Sequence, residues 1–165
     1  IRDVMGVTKA YCTRVGSGPF PTELNDAVGE ELRKLGNEFG ATTGRPRRCG
    51  WIDLIALKYA CMINGVTKVI MTKADVLDKF ETLEVCTAYK IDGKESEYVP
   101  FQMTRHQIEP VLRSFQGWST DTTEVKNHAD LPVKMKEYVD YINKFIGVDV
   151  SHISNGPGRD QIVIV

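Results

Sequence analysis

From Leu54 to Asn64 the sequence is apolar on nearly every side of a helix, Gly65 offers a stop, and Thr67–Thr72 follows as a short, mostly apolar run. A helix with so little polar face must be covered on several sides, and a run such as Thr-Lys-Val-Ile-Met-Thr suits a strand in a covered sheet. Helix feeding directly into buried strand is the signature of an α/β fold. At 165 residues, with 42% apolar and 26% charged side chains, the chain can build a real core and is neither disordered, collagenous nor coiled coil.

The flanking segments supply further elements. Residues 4–12 have strand-like spacing, and residues 13–21 pack two glycines and two prolines into a loop that continues neither regular structure. Thr22 is predicted to cap a helix carrying Leu24, Val28, Leu32 and Leu35 and ending at Gly36, before a polar loop over 37–50. Strands at 83–90 and 95–101 flank Asp92-Gly93, a hairpin signal, so an antiparallel ribbon is expected to project there. Residues 102–129 read as irregular. Asp130 then caps a predicted helix over 131–146, in which Pro132 is tolerated in the first turn and Gly147 is the stop. Strands at 148–153 and 161–165 close the chain around a Gly-Pro-Gly turn. The expectation is one domain, or a fragment of one, over 1–165.

Charge and motif content narrow the function. Lys plus Arg number 21 against 22 Asp plus Glu, so no general basic field gathers nucleic acid or anionic lipid, and any anion site must be local. No apolar run is long enough for a helical membrane span. Cys12, Cys49, Cys61 and Cys86 lack metal-site or disulfide spacing and read as reduced thiols, consistent with a cytoplasmic location. His106, His128 and His152 have no partner at catalytic or metal spacing, and no G-x-x-x-x-G-K-[ST] phosphate loop occurs. The chain opens at Ile1 without an initiating Met, and strand-like sequence begins almost at once, as expected of a piece of something longer.

Three local patterns could carry chemistry. In Phe39–Arg48, Arg45, Arg47 and Arg48 stand without a neighbouring acid behind Thr42 and Thr43, and in an extended loop Arg45 and Arg47 point the same way. Guanidinium forks in that arrangement suit a dicarboxylate or a phosphate; the alternative is a solvated basic loop. Lys73-Ala74-Asp75 follows the covered strand at the end where open α/β sheets bind ligands. An Asp there can accept from the N1–H and exocyclic amine of guanine, a donor pair adenine lacks, although a surface turn is the plainer account. Ile153–Arg159 contains a Ser-bearing Gly-Pro-Gly turn that could complete such a base pocket or be a simple hairpin turn.

Taken in order, Lys9–Leu24, Gly36–Trp51, Thr72–Asp78, Gly117-Trp118 and Ile153–Pro157 resemble the adenylosuccinate synthetase family over nearly the whole chain. The resemblance implies the C-terminal two-fifths or so of that enzyme: part of a P-loop-NTPase-like mixed sheet flanked by helices. It also implies an activity in purine biosynthesis. GTP would phosphorylate the 6-oxygen of inosine monophosphate, and the amino group of L-aspartate would then displace phosphate. Magnesium would be required, and the full-length enzyme would be a cytoplasmic homodimer. By the same resemblance Ala41, Thr42, Thr43, Gly44, Arg45, Pro46 and Arg47 form the aspartate loop. Arg45 would also touch the inosine nucleotide and Arg47 the GTP side, while Val15 and Gly16 would line the inosine site. Lys73, Ala74 and Asp75, with Ser154, Asn155, Gly156 and Pro157, would form the GTP base pocket.

Ala74 replaces a bulkier Leu common in the family, Asn155 and Gly158 vary the last turn, and Pro46 and Cys49 look like family variation. The family's phosphate loop, catalytic Asp and His, and magnesium ligands match nothing in these residues, so no catalytic or metal residue is assigned and the fragment alone is expected to be inactive. The alternative reading is a stand-alone guanine-nucleotide-binding or regulatory module without catalysis. An RNA-binding domain is disfavoured because no aromatic stacking platform interleaves the basic loop.

Overall fold

The computed structural model describes residues 2–165. In chain order the elements are β1 (Met5–Lys9), β2 (Cys12–Arg14), α1 (Ala27–Leu35), β3 (Arg48–Gly50), β4 (Ile52–Asp53), α2 (Leu54–Asn64), β5 (Lys68–Thr72), β6 (Thr82–Ile91), β7 (Lys94–Ser96), β8 (Ile108–Gln116), α3 (Val133–Ile146), β9 (Asp149–Ser154) and β10 (Ile162–Ile164). A 3-10 helix over Ala74–Lys79 follows β5. The chain divides into two units. One comprises the segment ending at Ala10, Ala56–Leu83 and Ser114–Val165; the other comprises Tyr11–Ile55 and Glu84–Arg113.

The first unit is built on a four-stranded sheet in the order β1-β5-β9-β10. β1, β5 and β9 run parallel, and β10 returns antiparallel to β9. β5 and β9 present Val69, Met71, Val150 and Ile153 as fully buried positions, so the run over 67–72 is the covered strand its composition suggests. α3 buries Met135, Tyr138 and Ile142, with the Phe115 ring meeting Tyr138 edge-on at 5.5 Å. Gly147 ends α3 in the left-handed region at φ 73°, where a residue without Cβ is favoured.

In the second unit β2 pairs antiparallel with β3, and α1 lies beside β3. β6 pairs with β4, β7 and β8. Asp92 and Gly93 both take positive φ (48° and 83°), as a type I′ hairpin turn requires, so the ribbon is present. Its second arm, however, is only Lys94–Ser96, shorter than the expected 95–101.

Four further differences have physical causes. The expected strand over 4–12 is two strands, because Tyr11 turns its ring into the second unit's core and its hydroxyl bonds Glu38 at 2.6 Å. Thr22 caps nothing. Residues 22–24 lie along β3, with Glu23 bridged to Gly50 and Leu24 N bonded to Cys49 O, so the helix starts at Ala27 under the carboxylate of Asp26. Asp130 is likewise not the cap of α3; Pro132 takes that position, and Asp130 accepts from Asn127 instead. Inside the stretch read as irregular, Ile108–Gln116 is a nine-residue strand. Its Pro110, Glu109 and Arg113 break the alternation by which a strand is recognised.

Candidate functional site

The basic loop is the tip of a small hairpin. Arg47 N donates to Glu38 O at 2.9 Å, Phe39 bridges Pro46, and Gly40 N donates to Arg45 O at 2.9 Å, leaving 41–44 as the turn. Gly44 closes it at φ 65°, with Gly44 N donating to Gly40 O. Ala41, Thr42 and Gly44 form the exposed tip. Thr43, Arg45, Pro46 and Arg47 line a cavity of about 280 Å³, together with Val15 and Gly16. Four of the seven residues assigned to the aspartate loop therefore meet both residues assigned to the inosine site at one place within the second unit, while Ala41, Thr42 and Gly44 do not line it.

The acids absent from the loop itself are supplied from elsewhere in the chain. Glu38, fully buried, holds Arg47 Nη1 at 2.7 Å through Oε2, while its other oxygen accepts from Tyr11. Arg33 Nε donates to Arg47 O at 2.8 Å. Glu23 grips Arg48 in two-point fashion, at 2.7 Å to Nε and 2.5 Å to Nη2. Arg48 Nη1 reaches on to Gly16 O and Gly18 O, tying the 15–18 loop to β3. The hydrogen bonds from Arg48 draw the Glu23 carboxyl below its ordinary range, and the same pairing raises Arg48.

Arg14 and Arg48 also line this cavity; Arg48 belongs to the arginine cluster of the loop, whereas Arg14 stands apart from it in the sequence. The signal that could have found Arg14 is its place on the strand leading into Val15-Gly16, opposite Arg48 in the β2–β3 register.

The residues that the resemblance assigns to a base pocket lie in the first unit. β5 and β9 are neighbouring parallel strands with Met71 level with Ile153, so Lys73–Asp75 and Ser154–Pro157 leave the sheet at the same edge. Lys73 adopts φ 59° and starts the 3-10 helix bearing Asp75. Burial pushes the Asp75 carboxyl up, partly offset by its own and Val76's backbone amides and by Lys73, while Asp121 adds to the rise. Ala74 is buried beneath, and Ser154 Oγ donates to Gly156 O at 3.1 Å.

Asn155 is wholly buried, with its side-chain amide donating to Thr122 O and, at 2.9 Å, to Val125 O. Asp78 receives Trp118 Nε1 at 2.6 Å and Thr122 N at 2.7 Å, and burial raises its carboxyl pKa. Asp78 and Asn155 thus clasp the 118–125 segment, a role invisible in sequence because those partners lie thirty or more residues away. Among the described residues there is no group of three or more His, Cys, Asp or Glu side chains that could hold a metal ion.

A family profile described as adenylosuccinate synthetase matches residues 1–163. The adenylosuccinate synthetase of Bacteroides fragilis is 51% identical over 164 residues, covering 99% of this chain and 38% of the relative. That of Koribacter versatilis is 54% identical over 164 residues, covering 99% of this chain and 37% of the relative. Among solved structures, fully ligated adenylosuccinate synthetase from Plasmodium falciparum matches with a TM-score of 0.94 at 37% identity, covering all of this chain and 40% of that one. The mixed α/β architecture expected from the resemblance is therefore shared with a solved synthetase, consistent with a P-loop-like fold. The chain spans about two-fifths of the length of the relatives it matches. Matched by profile, by sequence and by fold over nearly every residue, it belongs to the adenylosuccinate synthetase family.

Proposed function

We propose that these residues serve a GTP-dependent ligase that joins L-aspartate to inosine monophosphate, and that they contribute its aspartate loop and guanine pocket. The observation that carries the reading is the convergence of Thr43, Arg45 and Arg47 with Val15 and Gly16 on one cavity of about 280 Å³. That volume and charge suit a small diacid beside a nucleotide. Guanidinium forks hold both carboxylates and leave the α-amino group free to attack C6 of the purine once its oxygen has accepted the γ-phosphoryl group of GTP; phosphate then departs.

Asp75 would accept from the N1–H and exocyclic amine of guanine, Lys73 would lay its stem along the ring, and the Ser154–Pro157 turn would close the pocket. Magnesium enters no step derived from these residues. Nothing here matches the phosphate loop or acid–base residues that the family resemblance implies, so the 165 residues taken alone are expected to form no adenylosuccinate.

The test is made in an active synthetase carrying these residues. Arg45→Leu should reduce kcat/KM for aspartate by about two orders of magnitude or more, because charge-assisted bonds to a carboxylate are lost. Asp75→Asn should relax the preference for GTP over ATP. Unchanged aspartate kinetics in the first variant, or unchanged discrimination in the second, would remove the corresponding assignment.

A further inference from the structure

Four guanidinium groups line the cavity beside the 40–45 hairpin, and two of them already have carboxylates: Arg47 with Glu38 and Arg48 with Glu23. Among the described residues Arg14 and Arg45 have no ion-pair partner. Four positive groups against two negative ones leave the cavity with two uncompensated charges, and they belong to Arg14 and Arg45.

The position of Arg14 is unfavourable unless something binds it. It stands directly across the β2–β3 ladder from Arg48, and like charges facing each other across an antiparallel pair repel. Glu23 relieves Arg48 alone. The internal hydrogen bond of the Arg14 guanidinium, to Ser17 O, is long at 3.4 Å. Space is nonetheless kept for the group: a Cβ on Gly18, which has φ 126°, would strike it, so Gly18 allows the guanidinium to lie over the loop that lines the cavity.

We propose that Arg14 is a further substrate-binding residue, supplying with Arg45 the two positive charges that match the two carboxylates of a small diacid. The inference rests on the aspartate-loop reading above and deepens it. Arg47 lines the same cavity, but its charge is matched by Glu38; the net charge for the second carboxylate comes from Arg14.

The 165-residue chain can be tested directly by NMR of the arginine Nε–Hε signals during titration with L-aspartate and, separately, with inorganic phosphate. Aspartate should shift both Arg14 and Arg45. Arg14→Gln should weaken aspartate binding about tenfold or more, and Arg14→Lys, which keeps the charge, should recover part of the loss. An Arg45 signal that moves while Arg14 stays still, or an Arg14→Gln chain that binds as tightly as the original, would overturn the inference and leave the aspartate loop standing. A response of Arg14 to phosphate alone would overturn the diacid assignment. Silence of Arg14, Arg45 and Arg47 towards aspartate would overturn both readings.

Discussion

The Glu38 carboxylate lies 2.7 Å from the Arg47 guanidinium, and the two residues are joined again through the backbone, Arg47 N to Glu38 O at 2.9 Å. The Glu38 side chain is fully buried, whereas that of Arg47 is 33% exposed, so the pair runs from the core of its unit to the wall of the cavity. A buried carboxylate is tolerated only when its oxygens are satisfied, and the Tyr11 hydroxyl takes the second oxygen at 2.6 Å. Gly36 makes this possible, since a Cβ there would collide with that hydroxyl.

Removing the carboxylate should therefore cost stability as well as loop order. Glu38→Ala is expected to destabilise the chain by roughly 1–3 kcal/mol, because it removes the acceptor of the buried Tyr11 hydroxyl's bond and the partner of the half-buried Arg47 guanidinium. Glu38→Gln, which keeps an acceptor of the same shape, should lose less. Urea unfolding of the two variants measures this, and an alanine variant with the original midpoint would show that the pair does not anchor the hairpin.

The Glu23–Arg48 pair predicts a pH dependence. Arg48 depresses the Glu23 carboxyl below its usual 4.5, so the unfolded chain takes up that proton at higher pH than the folded one. The stabilisation is present above about pH 4.5 and is lost as pH falls through the depressed folded value. Burial raises Asp75 and Asp78 instead, so their contribution runs the other way. Arg48→Ala removes the pair together with the bonds to Gly16 O and Gly18 O, and only the pair's share, about 1 kcal/mol near neutrality, shrinks in acid. A stability difference that stayed constant from pH 7 to pH 3 would contradict it.

Asn155 is held by the protein itself, through the backbone carbonyls of Thr122 and Val125. Asn155→Ala leaves the carbonyls of Thr122 and Val125 without their buried donor and should cost roughly 2–4 kcal/mol in the absence of nucleotide. Asn155→Asp, which turns a carboxylate towards those same carbonyls, should be at least as damaging. Thermal melting of nucleotide-free chains decides the matter: no change in melting temperature would mean that the clasp contributes nothing.

Features written in contiguous residues were legible in the sequence. Leu54–Asn64 begins and ends where its apolar run and Gly65 place it, although Tyr59, Met62 and Ile63 stand exposed where cover on several sides was expected; Asp92-Gly93 makes the I′ turn, and Gly147 stops α3 in the left-handed region. These depend on side-chain type and on the φ values a residue tolerates, which are properties of short segments. The arginine-rich loop and the Lys73–Asp75 turn were conspicuous for the same reason.

Tertiary structure decided what needed partners from elsewhere in the chain. Thr22 lost its place as a cap because β3 claimed residues 22–24, and Ile108–Gln116 became a strand through pairing with β6 despite its proline and charges. Local residue types marked where anions could bind; which guanidinium groups kept a net charge was set by Glu23 and Glu38, brought in by folding from twenty-five and nine residues away. Charge compensation acts through space over a few ångströms, so only the folded chain could separate Arg47 and Arg48 from Arg14 and Arg45.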